Sequence, residues 1–315
     1  MKPDRRRRGA RVALIGAIVL ALAAAGCSAA PGGGSTGSTA APGTQGNRVL
    51  VVTTNTVFAD LVAQVGGERV ESVSLVPNGG DVHTYDPRPS DAARLSKARL
   101  IVMNGLGLDD WLTNLVSTAG AAALVVRLGE GLPDVRYLSG ENGAANPHLW
   151  LNVANAERYV ARLADALARV DAAGAPGYRT RAAAYTRRLQ DLDAWVRAQI
   201  ETIPVDQRRL VSFHDAFPYF ADAYGLQIVG SVVAAPGQDP GAADVAHLVD
   251  AIRAAHVRAV FAEPQFNPAV VQAVAREAGV RVVTDLYDDT LGPPPVDTYE
   301  GMIRWDVERV VGALR

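Results

Sequence analysis

Residues 178–201 read YRTRAAAYTRRLQDLDAWVRAQIE, and the organisation of the whole chain turns on them. Tyr178, Ala182, Tyr185, Leu189, Leu192 and Val196 are spaced 4, 3, 4, 3 and 4 apart, which is one face of an α-helix. Arg179, Arg181, Arg187, Arg188, Asp191 and Asp193 fill the other faces. A helix of about 25 residues reaches roughly 37 Å at 1.5 Å per residue, enough to bridge two lobes rather than join neighbouring strands. Upstream, residues 154–170 read as a shorter helix, separated from the long one by Gly174-Ala175-Pro176-Gly177.

On both sides of this pair the pattern changes. Short β-branched runs at 49–52, 70–76, 100–103 and 124–128 alternate with amphipathic stretches such as 57–65 and 90–96, the latter with Ser90 and Asp91 as N-cap signals. The same rhythm returns at 210–213, 227–229, 257–261 and 280–283. Alternation of this kind argues for βαβ units around mainly parallel sheets. The expected architecture is α/β: an N-terminal lobe over 48–173, a linking helix over 174–203 and a C-terminal lobe over 204–315.

The chain has 315 residues, 49% hydrophobic and 20% charged, an ordinary globular composition. Its net charge of −2 is unevenly spread. Six basic groups and one acid lie within residues 1–26, leaving 25 basic against 32 acidic residues, net −7, in the remainder. A body that acidic carries no electrostatic footprint for nucleic acid. A single cysteine, Cys27, excludes a disulfide framework and a thiolate metal cluster.

Arg5 to Arg8 and Arg11 precede an unbroken apolar run over 12–26, too short to span a bilayer, for which about 20 residues are needed. This is the layout of a secretory signal peptide over 1–26. The run ends in Leu22-Ala23-Ala24-Ala25-Gly26-Cys27, which resembles a bacterial lipobox, with Ala24 where that pattern usually has Leu. The resemblance implies lipidation of Cys27. Residues 27–47, rich in Gly, Ser, Thr and Ala, then form a flexible tether. The expected location is extracytoplasmic: exported and anchored by lipid to the outer face of the cytoplasmic membrane.

Three of the five histidines sit where strands should end. His83 lies in a loop after the second strand, His148 just before the first inter-lobe helix, and His214 directly after the run at 210–213. Open α/β sheets bind ligands beyond the carboxyl ends of their strands. Neutral imidazole is the commonest protein metal ligand, and three with a carboxylate suit Zn²⁺ or Mn²⁺. His247 and His256, in or after a helix over 242–255, read as solvated structural residues.

The surrounding motifs narrow this further. HTYDPRPSD at 83–91, MNGLGLD at 103–109, NPHLWL at 146–151, FAEPQF at 261–266 and DTLG at 289–292 occur in order. Together they resemble the zinc/manganese-specific solute-binding proteins of ABC importers, over essentially the whole of residues 48–315. The resemblance implies two α/β lobes joined by a rigid helix, with metal held in the cleft between them. It also implies His83, His148 and His214 as ligands, and an acid of the last motif as the fourth. Asp289 matches best, with Asp288 and Asp285 nearby. Asp81-Val82-His83 departs from the commoner Asp-Pro-His, and Asn146 and Asn152 stand where acids are frequent.

Within that family a glutamate at the third ligand position is linked mainly to manganese or iron, and a histidine mainly to zinc. His214 therefore points to Zn²⁺ as cargo, in keeping with the preference of imidazole for borderline metals. Residues 129–145 lack the histidine-rich loop of many zinc specialists, which keeps Mn²⁺ open. The expected partner is the membrane permease of the importer, and the expected state is a monomer with no catalytic residue. The alternatives are a zinc-dependent hydrolase, with Glu263 as general base, and a metal-stabilised extracellular adhesion protein.

Overall fold

The computed structural model describes residues 48–140 and 143–315. The signal segment, Cys27 and the tether lie outside the described residues. The first lobe runs β1 (Val49–Thr53), α1 (Thr56–Gly66), β2 (Val70–Ser74), α2 (Pro89–Leu95), β3 (Leu100–Met103), α3 (Trp111–Thr118) and β4 (Leu124–Arg127). Two helices follow, α4 (Val153–Val170) and α5 (Ala175–Glu201). The second lobe runs β5 (Arg209–Ser212), α6 (Pro218–Tyr224), β6 (Gln227–Ser231), α7 (Ala242–Ala254), β7 (Ala259–Phe261), α8 (Ala269–Ala278) and β8 (Arg281–Val283), and α9 (Tyr299–Leu314) closes the chain. Among the described residues, no helix is long and apolar enough to cross a membrane.

Each lobe carries a four-stranded sheet, ordered β2-β1-β3-β4 and β6-β5-β7-β8. All pairings are parallel. Parallel strands flanked by helices are buried on both faces and read as continuous apolar runs. Leu100, Ile101, Val102 and Met103 of β3 are accordingly all inaccessible. In both sheets the chain starts in the interior and sends its next two strands to opposite sides. The crevice at that reversal opens at the carboxyl ends of the strands.

Several boundaries differ from the sequence reading for local reasons. β2 ends at Ser74 rather than 76, although the amides of Leu75 and Val76 still donate to the carbonyls of Thr53 and Thr54 at 2.9 and 3.0 Å. Helix α2 begins at Pro89; the carboxylate of Asp91 reaches back to accept from the Arg88 amide at 2.8 Å instead of acting as N-cap itself. Helix α5 begins at Ala175, three residues before Tyr178, because Pro176 in a first turn gives up an amide that would lack a partner anyway. β7 begins at Ala259 rather than 257. His247 and His256 are exposed, as expected.

The face of α5 read from the sequence is the face it buries: Tyr178, Ala182, Tyr185, Leu189, Leu192 and Val196 are all buried. One apolar core runs from β1 and α1 through α4 and α5 to Phe217, Tyr299 and Val307. Two further clusters cover the outer faces of the sheets, around Ile101 and Leu112 in the first lobe and around Val260 and Val274 in the second. Polar contacts pin α5 along its length. Arg181 donates to the carbonyls of Val65 and Gly66, both at 2.8 Å. Tyr178 donates to Asp171 at 2.6 Å, and Asp171 also accepts from Arg69 at 2.9 Å. Arg188 reaches both Gln64 of α1, at 3.1 Å, and Glu300 of α9, at 3.2 Å.

Candidate metal centre

Four loops at the carboxyl ends of the strands deliver the residues singled out from the sequence. His83 follows β2. Its amide donates to Asp81 at 2.9 Å, and the preceding Val82 is buried with its carbonyl accepting from Trp111 Nε1 at 2.9 Å. That anchoring aims the imidazole inward. His148 precedes a short 3₁₀ turn, Leu149–Leu151, that leads into α4. His214 lies two residues beyond β5, its carbonyl accepting from Ser212 Oγ at 2.6 Å. Asp289 belongs to the loop after β8. The next residues of that loop are stitched to the first lobe: Thr290 Oγ1 accepts from Gly79 at 3.0 Å, and Thr56 Oγ1 accepts from the Leu291 amide at 2.8 Å.

The four side chains converge. His148 Nε2 lies 3.3 Å from His83 Nε2 and 3.3 Å from His214 Nε2. Asp289 Oδ2 is 3.1 Å from His83 Nε2 and 3.7 Å from His214 Nε2, and its Oδ1 is 3.6 Å from His148 Nε2. One donor atom from each of His83, His148, His214 and Asp289 lies within 4.8 Å of the others. His148, His214 and Asp289 are buried, whereas the His83 side chain keeps 14% of its surface exposed. An opening of about 360 Å³ above them is lined from both lobes, by Leu106, Pro147, Asp215 and Pro236 among others. A larger groove of about 510 Å³ flanks β4 and α4. Its Arg158 and Arg162 are committed to backbone carbonyls, including those of Pro133 and Arg127.

The three aspartates that the sequence left in competition are now separated. Asp289 faces all three imidazoles. Asp288 forms a second buried group with His214 and Glu263: its Oδ2 is 3.6 Å from His214 Nε2, and Glu263 Oε1 is 3.3 Å from His214 Nδ1. Asp285 points away and accepts from Arg309 Nε at 2.9 Å.

Electrostatics separate them again. Burial works against the charged form of Asp289, but the attraction of His83, His148 and His214 outweighs it and holds this carboxyl below the usual range. Burial pushes Glu263 up to about 8. Burial likewise pushes Asp288 well above its usual range, with Glu263 and Asp289 adding like charge. At neutral pH the negative charge of this group therefore concentrates on Asp289. Burial pushes His148 well below the usual imidazole value, keeping it neutral and its lone pair available. Three imidazole nitrogens and one carboxylate oxygen are a donor set for a divalent cation with borderline-soft character.

Sequence reasoning missed two neighbours. Glu263 enters the sequence analysis only as the general base of the hydrolase alternative, and no spacing rule places it against His214. Asn146 stood out as an amide where acids are frequent, and it proves to touch His148 on two atoms. Its Oδ1 is 3.0 Å from the His148 amide and 3.0 Å from Nδ1.

The chain is similar to known proteins over nearly all of its described residues. Residues 51–313 match the profile of a family described as zinc-uptake complex component A, periplasmic. The manganese-binding lipoprotein MntA of Halalkalibacterium halodurans is 32% identical over 300 residues, covering 94% of this chain and 96% of that protein. The manganese ABC transporter substrate-binding lipoprotein PsaA of Streptococcus pneumoniae is 29% identical over 284 residues, 85% of this chain and 89% of that one. The solved structure of the periplasmic zinc-binding protein TroA from Treponema pallidum superposes with a TM-score of 0.79 at 29% identity, covering 85% of this chain and 99% of that one.

Proposed function

From the premise that this chain belongs to the family of the periplasmic component A of zinc-uptake complexes, we propose that it captures Zn²⁺ between His83, His148, His214 and Asp289. Membership makes it an extracytoplasmic solute-binding protein of an ABC importer and not an enzyme, so the hydrolase reading of Glu263 falls. It is exported and anchored at the outer face of the cytoplasmic membrane, as its lipoprotein relatives are. A divalent metal is its cargo, passed to the membrane permease. Lipid attachment at Cys27 and a monomeric state complete the proposal.

One observation carries the choice of metal. Four donors at 2.0–2.1 Å from Zn²⁺ define a tetrahedron with edges of about 3.3–3.4 Å. Asp289 Oδ2 lies 3.1 Å from His83 Nε2 and 3.7 Å from His214 Nε2, and His148 Nε2 lies 3.3 Å from each of those two nitrogens. These four edges are near the size a tetrahedral zinc site needs and support that reading. Manganese is the second reading, favoured by both Asp289 oxygens facing the imidazoles and by the names of two relatives. A carboxylate gripping through both oxygens would give five ligands and a harder site.

The deciding experiment is competitive titration of the metal-free protein with Zn²⁺ and Mn²⁺, alongside His214→Glu. Tight one-to-one zinc binding, weakened and shifted towards manganese by the substitution, is the expected result. No stoichiometric binding of either metal overturns the proposal.

A further inference from the structure

We propose that Asn146 is a positioning residue that sets the tautomer of His148 with one end of its amide and clasps the two lobes over the metal with the other. This rests on the reading of His148 as a metal ligand. Asn146 is itself buried, at 2% exposure. A side-chain carbonyl oxygen only accepts hydrogen bonds. Because Asn146 Oδ1 lies 3.0 Å from His148 Nδ1, the imidazole proton belongs on Nδ1. Nε2 is then left as a lone pair, and it is this atom that sits 3.3 Å from the Nε2 atoms of both His83 and His214.

The other end of the amide turns to the second lobe. Asn146 Nδ2 donates to the Asp215 carbonyl at 2.6 Å, with Asp215 Oδ2 at 3.3 Å. Asp215 directly follows His214, so one side chain ties the loop of the second ligand to the loop of the third. The amide orientation is fixed by its neighbours. Turned over, it would aim NH₂ at the His148 amide N–H and its oxygen at two acceptor oxygens. The backbone behind the clasp is held separately. The Asn146 amide donates to Leu138 O at 2.8 Å, and Asn104 Nδ2 donates to Pro147 O at 2.9 Å. Gly140 packs so close that a Cβ there would lie 2.9 Å from Asn146 Cα.

Neither alanine nor aspartate reproduces both contacts. Alanine removes acceptor and donor together. Aspartate keeps the acceptor for His148 but cannot donate to Asp215, and it sets a second carboxylate beside that residue. The two substitutions therefore separate the two roles.

The test uses the full chain, wild type and as Asn146→Ala and Asn146→Asp, with Zn²⁺ as probe. Nitrogen-15 spectra of the imidazoles in metal-free protein report the His148 tautomer, and chelator challenge reports zinc affinity and release. Wild type should show Nδ1–H alone. Asn146→Ala should show mixed tautomers and bind zinc about 10–100-fold more weakly, the usual effect of losing a group that orients a ligand. Asn146→Asp should keep Nδ1–H yet release zinc about tenfold faster. An alanine variant with unchanged tautomer and affinity overturns the positioning role. An aspartate variant with wild-type release overturns the clasp. Wild type that binds no zinc overturns the reading of the site itself, a result distinct from the other two.

Discussion

Trp150 Nε1 donates to the carbonyl oxygen of Asp288 at 2.9 Å. The bond links the loop that carries His148, two residues before Trp150, to the loop that carries Asp289, one residue after Asp288. Around it the indole is clamped. Tyr299 Oη donates to the Trp150 carbonyl at 2.7 Å, and the Phe58 ring meets the indole edge-on at 5.1 Å between centroids. The loops of His148 and Asp289, the proposed second and fourth ligands, are thus tied together by packing.

Trp150→Phe should keep most of this packing but leave the buried Asp288 carbonyl without its donor. The expected cost in stability is about 1–3 kcal/mol, read by denaturant unfolding of the metal-free protein. Zinc affinity should also fall, since the Asp289 loop loses a fixed point. Unchanged stability and affinity would show the indole hydrogen bond to be idle.

Asp289→Asn should weaken zinc binding by roughly a hundredfold or more, about 2.8 kcal/mol at 1.4 kcal/mol per tenfold, because it removes the anion that faces three imidazoles. Asp288→Asn should cost less than about a tenth of that factor, since Asp288 groups with only one of the three imidazoles, His214, and burial already favours its neutral form. Competition titrations of the two variants, side by side, decide the order. Equal losses would contradict the assignment.

For pH, the sign follows from His148. Burial lowers its folded pKa below the ordinary value of about 6.5 that it recovers on unfolding. Below pH 6.5 the unfolded chain therefore binds a proton that the folded chain refuses. The stability this residue contributes is present above 6.5 and is lost as pH falls towards its folded value. Metal-free wild type should lose stability between pH 7.5 and 5.0 more steeply than His148→Asn. Parallel curves would remove His148 from the account.

Leu189 is fully buried on the α5 face that joins the lobes. Leu189→Ala should cost about 2–5 kcal/mol through the lost contacts and the cavity left behind. Because one core runs through both lobes, near-ultraviolet and far-ultraviolet signals should still change together in one transition. Two separated transitions in the wild type would refute the single core.

Cys27→Ser should move the protein from the membrane fraction to the soluble extracytoplasmic fraction without changing zinc affinity, as fractionation and titration would show. Retention in the membrane fraction would rule out Cys27 as the anchor.

The parts of this molecule legible in its sequence are those governed by period. The α5 face is set by spacing alone, and six positions from Tyr178 to Val196 are buried as that spacing requires. The central strands β1 and β3 stood out because they are buried on both faces and read as apolar runs, whereas the edge strands β2 and β6 carry polar residues. Single-residue boundaries were less legible, since Pro176 and Asp91 are turn signals whose effect depends on which neighbour they reach. The His83, His148, His214 and Asp289 cluster was legible through family motifs and not through spacing. These residues lie 65, 66 and 75 positions apart, so only the folded sheets bring them together. Glu263 and Asn146 act across loops, and no local pattern encodes such a contact.

The arginines along α5 have a mechanical consequence. Arg181 rivets the helix to the end of α1, and Arg188 spans from α1 to α9 at a point where both lobes meet it. A wide hinge motion would have to shear these rivets and split the core beneath them together. The socket is thus set in a frame tied both at the helix surface and in the core beneath it. At the socket's rim His83 keeps 14% of its side chain exposed, the most of the four.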